Sequence, residues 1–168
     1  MCGGANAHTE ETKMSVEAAK RHLEKFGLAD RVMEFDVSSA TVDLAAQAVG
    51  CAPAMIAKTL SFDVDGTPTL IVAAGDAKVD NQKYKAQFHA KARMLSPEEV
   101  VLKIGHAVGG VCPFGVNDGV EVYLDESLKR FERVYPACGS ANSAVPLAIS
   151  ELESCACARG WIDVCKNW

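Results

Sequence analysis

The sequence predicts a single domain of the α/β (α+β) class, with helices and strands interleaved along the chain. Three observations predict it. At 168 residues the chain is long enough to bury one core of ordinary size. Hydrophobic residues make up 49% and charged residues 23%, the composition of a globular protein and not of a disordered one. Apolar residues recur at helical spacing in some windows and alternate at strand spacing in others, with no internal repeat, low-complexity tract or linker within residues 14–168.

Residues 1–13 mix Gly, Asn, His, Thr and Glu and lack the basic start and apolar middle of a secretory signal. They are expected to form a flexible N-terminal tail. A helix is expected from about Ser15, which can cap it, to Phe26, with Val16, Ala19, Leu23 and Phe26 on one face and Gly27 as the stop. Val32 to Val37 alternates as a strand does. Ser38 and Ser39 lead into a second helix, Val42 to Val49, ended by Gly50. Ala57 to Val64 and Thr69 to Ala73 form a hairpin around Asp65-Gly66. Asn81 to Phe88 is helical, and Ser96-Pro97-Glu98-Glu99 opens another helix to Ile104, because Ser caps, Pro suits the first turn and acids favour the N-terminus. Three further strands are expected at Val120 to Leu124, Glu132 to Tyr135 and Ala144 to Ile149, with a helical turn or two at Asp125 to Arg130. A short helix near Ser150 and a final strand, Trp161 to Val164, complete the order.

The bulk numbers also exclude functions. No apolar run approaches the roughly 20 residues of a membrane span. Seven cysteines, an odd number without framework spacing, fit reduced thiols in a cytoplasmic protein better than a disulfide scaffold. A formal net charge of −5 argues against non-specific nucleic-acid binding, so DNA is not expected as a partner. A local basic patch survives that argument: Lys78, Lys83, Lys85, Lys91 and Arg93 cluster, either as a solvated face or as a contact for an anion.

The least ordinary stretch is Gly105-His106-Ala107-Val108-Gly109-Gly110-Val111-Cys112-Pro113-Phe114-Gly115. Four glycines in eleven residues leave amide N–H groups bare, so such a loop can cradle an oxyanion, carboxyl or amino group, or simply make a tight buried turn. It has neither the Gly-Lys-Ser/Thr ending of a phosphate loop nor a dinucleotide fingerprint. Lys58 lies in an otherwise apolar approach to a strand, Met55 to Phe62, and must reach solvent or meet an anion. His106 and Cys112 raise a thiol–imidazole chemistry, set against a buried structural cysteine. Cys155-Ala156-Cys157 with Cys165 departs from standard zinc spacing, and no metal site is expected. Asp76, Asp80 and Asp125 read individually as solvated or capping residues.

Taken in order, five segments resemble the YbaK / prolyl-tRNA synthetase-associated domain family, the trans-acting aminoacyl-tRNA deacylases. They are Ile56-Ala57-Lys58-Thr59-Leu60, Ala73-Ala74-Gly75-Asp76, the loop Gly109 to Gly115, Val122-Tyr123-Leu124-Asp125-Glu126-Ser127-Leu128, and Ala137-Cys138-Gly139-Ser140. Each motif is weak alone, the ordered set is specific, and it spans about residue 15 to the C-terminus. The resemblance implies one editing domain over residues 14–168, built on a curved, partly barrel-like mixed sheet flanked by helices. It implies hydrolysis of mischarged tRNA, of proline-family tRNA carrying a small amino acid, by water attack assisted by the substrate's own vicinal hydroxyl. Lys58 is then the catalytic residue. Gly109, Gly110, Val111, Cys112, Pro113, Phe114, Gly115, Asp76 and His106 are the substrate-binding set, and Lys78, Lys83 and Lys85 are the tRNA contacts. No cofactor is called for. A synthetase is the second candidate partner, and a non-catalytic tRNA- or synthetase-binding module is the competing reading. Cys112 directly before Pro113 departs from some family members and leaves the amino acid removed open.

Overall fold

The computed structural model describes residues 4–168, with side chains described from Lys13 onward. Helix α1 spans Gly4–Glu24, so the helix expected from Ser15 already runs through most of the stretch read as a tail. Residues 1–3 of that stretch lie outside the described residues. Local propensity explains the difference: Ala, Glu, Lys and Met dominate residues 10–20 and favour helix without an apolar stripe to announce it. Ser15 is therefore a buried residue within the helix and not its cap.

The strand expected over Val32 to Val37 shortens to β1, Met33–Glu34. Helix α2 covers Val42–Val49, capped by the Thr41 hydroxyl, which accepts from the Leu44 N–H. Strands β2 (Ile56–Val64) and β3 (Thr67–Ala74) form the expected hairpin. Asp65 and Gly66 take φ values of 48° and 87°, the pair of positive angles that a tight two-residue turn needs. The short β4 (Lys78–Val79) follows, then α3 (Asn81–Phe88), capped by Asp80. Helix α4 (Pro97–Glu99) opens on a capping box between Ser96 and Glu99 and continues as a wide turn over Val100–Ile104.

Strand β5 is Glu121–Asp125, followed by a tight helical turn at Glu126–Arg130, and β6 is Arg133–Pro136. The strand expected over Ala144 to Ile149 splits into β7 (Ser143–Ala144) and β8 (Leu147–Ala148) around Pro146, whose missing N–H cannot continue a ladder. Helix α5 is Ile149–Cys155, and β9 (Trp161–Ile162) and β10 (Cys165–Lys166) end the chain.

Six strands form one mixed sheet in the order β8-β6-β2-β3-β5-β9, curled into a half-barrel flanked by the five helices. The central β2–β3 pair is antiparallel, whereas β2–β6, β3–β5 and β5–β9 are parallel. Two small antiparallel ribbons, β1–β7 and β4–β10, stand apart from this sheet. Strand β3 is buried from Thr69 to Ala74, so its apolar run is continuous and not alternating. Ala19 and Leu23 of α1 join it in the main core, together with Phe114, Leu124 and Leu147. A smaller cluster, Ala45, Ala46 and Ile56, seats α2 against the start of β2. No described helix is long and apolar enough to cross a membrane.

Candidate active site

The start of β2 carries Lys58 into a cleft of about 180 Å³. One wall is the segment from Ser39 through Val42 with Ala45 of α2, and a second is Ile56 to Thr59. Gly109 and Val111 supply the third, and Tyr135, Ala137, Ser143 and Ala144 the fourth. The core cluster under α2 explains the placement: packing Ala45 and Ala46 on Ile56 lays the N-terminus of α2 across the entry of β2.

The Lys58 ammonium is tied to the turn after β3. It donates to the Ala77 carbonyl and, at 3.4 Å, to that of Gly75. An ammonium has three N–H donors, so this tether leaves one for another acceptor. Burial pushes the Lys58 pKa below the usual lysine range, and the nearby Asp76 carboxylate opposes that shift in part. The loop does not hold the ammonium; Lys58 shares only the lining of the cleft with Gly109 and Val111.

Asp76 sits at the exposed tip of the same turn in a two-pronged ion pair with Arg130, at 2.6 and 3.0 Å. The Arg130 hydrogen bond holds its carboxyl below the ordinary range. Asp76 thus reaches the site through Lys58 and not through the cleft wall.

The glycine-rich loop divides. Gly109 and Val111 line the cleft, whereas Gly110 is wedged against the Gly139–Ser140 backbone and Gly115 against Ala18 of α1. Cys112, Pro113 and Phe114 are buried behind them and are not part of the cleft wall. Cys112 is wholly buried, and burial pushes its thiol well above the ordinary cysteine range, the reverse of an activated nucleophile. His106 Nε2 lies 3.5 Å from the sulfur but 2.6 Å from the Phe114 carbonyl. A carbonyl only accepts, so Nε2 carries the proton and Nδ1 accepts from the Ser15 hydroxyl at 2.6 Å. Ser15 Oγ in turn accepts from the Ala107 N–H at 3.3 Å. Ser15 and His106 therefore pin both ends of the loop to α1.

This buried ring makes a pH prediction. Burial lowers the His106 pKa below 6.5, with the Phe114 carbonyl opposing and His22 assisting. The unfolded histidine titrates near 6.5, so the unfolded chain takes up the proton first as pH falls. His106 contributes its full stability above about pH 6.5 and loses it as pH drops through the folded-state value. Melting temperature is expected to fall as pH drops below about 6.5, with a flatter profile in His106→Gln. An equally steep profile in the variant would contradict this.

The basic cluster is only partly free. Lys83 is engaged by Asp163 at 2.9 Å and by the Cys165 carbonyl, and Arg93 by Asp63 and Glu99. Lys78, Lys85 and Lys91 are exposed and form no ion pair among the described residues. Lys85 and Lys91 border a second hollow of about 370 Å³ beside α3. Among the described residues no group of three or more His, Cys, Asp or Glu side chains is placed to hold a metal ion. The polar wall residues to which the sequence assigns no site role are Ser39, Thr41, Thr59, Tyr135 and Ser143. Their signal is weak, because hydroxyl residues ahead of a helix read first as caps.

The family described as the aminoacyl-tRNA editing domain matches residues 37–155, a span that holds every wall of the cleft. The chain belongs to the aminoacyl-tRNA editing domain family. It is 52% identical over 156 residues to the uncharacterized protein YwhH of Bacillus subtilis (strain 168), covering 92% of this chain and 99% of that one. It is 38% identical over 101 residues to a proline–tRNA ligase of Shouchella clausii (strain KSM-K16), covering 60% of this chain but only 17% of the ligase. Among solved structures, a candidate trans-editing enzyme for prolyl tRNA synthetase superposes with a TM-score of 0.82 at 31% identity, covering 90% of this chain and 97% of that one. Within this editing domain, the motif around Lys58 and the Gly109 and Val111 positions of the glycine loop line the cleft, and the β3 turn holds the Lys58 ammonium.

Proposed function

We propose that this editing domain is an aminoacyl-tRNA deacylase acting in trans, which removes a small amino acid from a tRNA that should not carry it, tRNA for proline foremost. The observation that carries the reading is the cleft itself: a tethered lysine and a glycine line one small cavity, in a family described by aminoacyl-tRNA editing. The relationship to proline–tRNA ligases and to a candidate trans-editing enzyme supports the choice of tRNA.

The chemistry needs no protein nucleophile. An aminoacyl ester is labile, so holding it beside water and the vicinal ribose hydroxyl supplies much of the acceleration. Water oxygen bonds to the ester carbonyl carbon, the carbon–oxygen bond to ribose breaks, and the proton passes to the ribose oxygen, giving free amino acid and tRNA. Lys58 offers its remaining N–H to the developing oxyanion or to the terminal phosphate. Gly109 lets the acyl end approach the backbone without a side chain in the way.

A matrix of tRNA and amino acid pairs tests this reading. Hydrolysis confined to a few mismatched pairs supports it. Tight tRNA or synthetase binding without hydrolysis of any pair would favour a binding module.

The exposed lysines are the tRNA-facing surface of the domain, with Lys78 nearest the catalytic lysine. Lys85→Ala with Lys91→Ala is expected to weaken tRNA binding and to reduce the salt slope by about one for each phosphate left unpaired. Lys83→Ala also removes the Asp163 pair, so its effect includes the β4–β10 ribbon. An unchanged salt dependence in the double variant would remove these lysines from the interface.

A further inference from the structure

The short ribbon between β4 and β10 carries a cost that its own contacts do not explain. Its register sets Lys78 directly opposite Lys166, both exposed on the outer face, while Val79 and Cys165 take the inner one. Like charges directly opposite on paired strands destabilise the pairing, and strands of two residues have little else to offset it. Lys78 forms no ion pair among the described residues, and Lys166 approaches Asp80 only at 3.9 Å. Asp80 is already engaged as the cap of α3, accepting from the Gln82 and Lys83 N–H groups. An anion between the two ammonium groups would turn their repulsion into attraction.

An aromatic residue stands beside them. Trp168 is 44% exposed, yet it is fixed in place. Asn167 takes a φ of 67°, a left-handed conformation that asparagine tolerates better than most residues, and the Trp168 indole N–H donates to the Cys165 carbonyl at 3.3 Å. That carbonyl also accepts from the Lys83 ammonium at 2.9 Å, so a third lysine borders the indole. The Arg130 guanidinium lies 5.3 Å from the indole centroid and pairs with Asp76. Asp76 belongs to the turn whose Gly75 and Ala77 carbonyls hold Lys58, and Lys78 follows Ala77 directly. A continuous series of contacts therefore links Trp168 to Lys58.

We infer that Lys78, Lys166 and Trp168 form a docking surface for the unpaired 3′ end of tRNA, the two lysines holding a phosphate and the indole stacking on a base. The chemistry is that of single-strand binding, in which cations follow the backbone and an aromatic ring receives a base of any identity. The position fits, because the acylated ribose is the last unit of that strand and Lys78 adjoins the turn that holds Lys58. Strand β10 and Trp168 lie beyond residues 37–155, the span matched to the editing family. The choice of partner rests on the deacylase reading above.

Fluorescence reads this surface without any reaction. The chain has two tryptophans, so Trp161→Phe leaves Trp168 as the only one. In that variant uncharged proline tRNA is expected to quench the emission, and the same tRNA stripped of its unpaired 3′ nucleotides to quench it far less. Filter binding with the other variants does not depend on that protein folding. Trp168→Ala is expected to raise the Kd for whole tRNA at least about fivefold, as loss of one stacked base does, whereas Trp168→Phe stays within about twofold because a π face is kept. Lys166→Ala is expected to reduce the salt slope by about one and, without tRNA, to melt no lower than the parent, since the like-charge contact is relieved. Equal Kd values for whole and shortened tRNA, an unchanged slope in Lys166→Ala, or equal quenching by inorganic phosphate alone would overturn the proposal. If the parent cleaves mischarged tRNA and Trp168→Ala and Lys166→Ala bind and cleave as it does, this surface falls and the deacylase reading stands. If the 3′ end binds as described but no ester in the wider matrix is cleaved, the deacylase reading falls and the surface stands.

Discussion

Lys58→Ala is expected to lower the deacylation rate by about a hundredfold to a thousandfold, the usual effect of removing one donor aimed at developing charge. The side chain does two things at once. It links β2 to the turn after β3 through the Gly75 and Ala77 carbonyls, and it carries the one charge in the cleft wall. Lys58→Arg separates these roles: it keeps the charge, but a planar fork does not fit where a compact ammonium meets two carbonyls. Its rate should lie between those of the parent and the alanine variant. Single-turnover rates on one mischarged tRNA measure both, and circular dichroism checks that each variant is folded. An alanine variant that kept roughly a third or more of the parent rate would remove Lys58 from the reaction.

Gly110→Ala carries the second large effect, on stability and activity together. A Cβ at Gly110 would overlap the backbone N and Cα of Ser140 and come within 2.5 Å of the Gly139 carbonyl carbon. Backbone cannot swing aside as a side-chain tip can, so the loop and the Gly139 turn must separate. The Gly110 carbonyl also accepts from the Gly139 N–H at 3.1 Å, and that bond would stretch. Overpacking of this kind costs about 1–3 kcal/mol and can exceed it. Gly109→Ala is the instructive comparison. Its φ of 88° strains any side chain, but the added Cβ would meet only Ala141 Cβ at 3.3 Å and Ala40 Cβ at 3.7 Å. Gly109→Ala should therefore melt closer to the parent and act mainly by narrowing the cleft. Thermal melts that rank the two the other way would contradict this division of the loop.

That division shows what can be read from residues alone. The hairpin at Asp65-Gly66, helix α2 with its stop at Gly50, and the Ser96 capping box are local devices, and local chemistry locates them. Helix α1 outruns its sequence signal because its first half has no apolar periodicity. Ser15 reads as a cap because the partner that buries it, His106, lies 91 positions away. The ribbon between β4 and β10 is invisible for the same reason: two-residue strands gain their pairing from tertiary placement, not from pattern. At the site, Lys58 and the glycine loop stand out because their residue types conflict with their surroundings. The loop's inner half is harder to assign, since glycine serves equally for open backbone and for close packing. Only the approach of Gly110 to Ser140 and of Gly115 to Ala18 tells which role each plays. Asp76 is drawn into the site by its motif, yet its carboxylate is occupied by Arg130.

The ester-loss time course for proline tRNA charged with serine, alanine or proline is the most direct test of the deacylase mechanism. A lysine-anchored cleft of this size predicts fast release of the small wrong residue, slow release of proline, and disappearance of that contrast in Lys58→Ala. Decay of every ester at the rate seen without protein would contradict it.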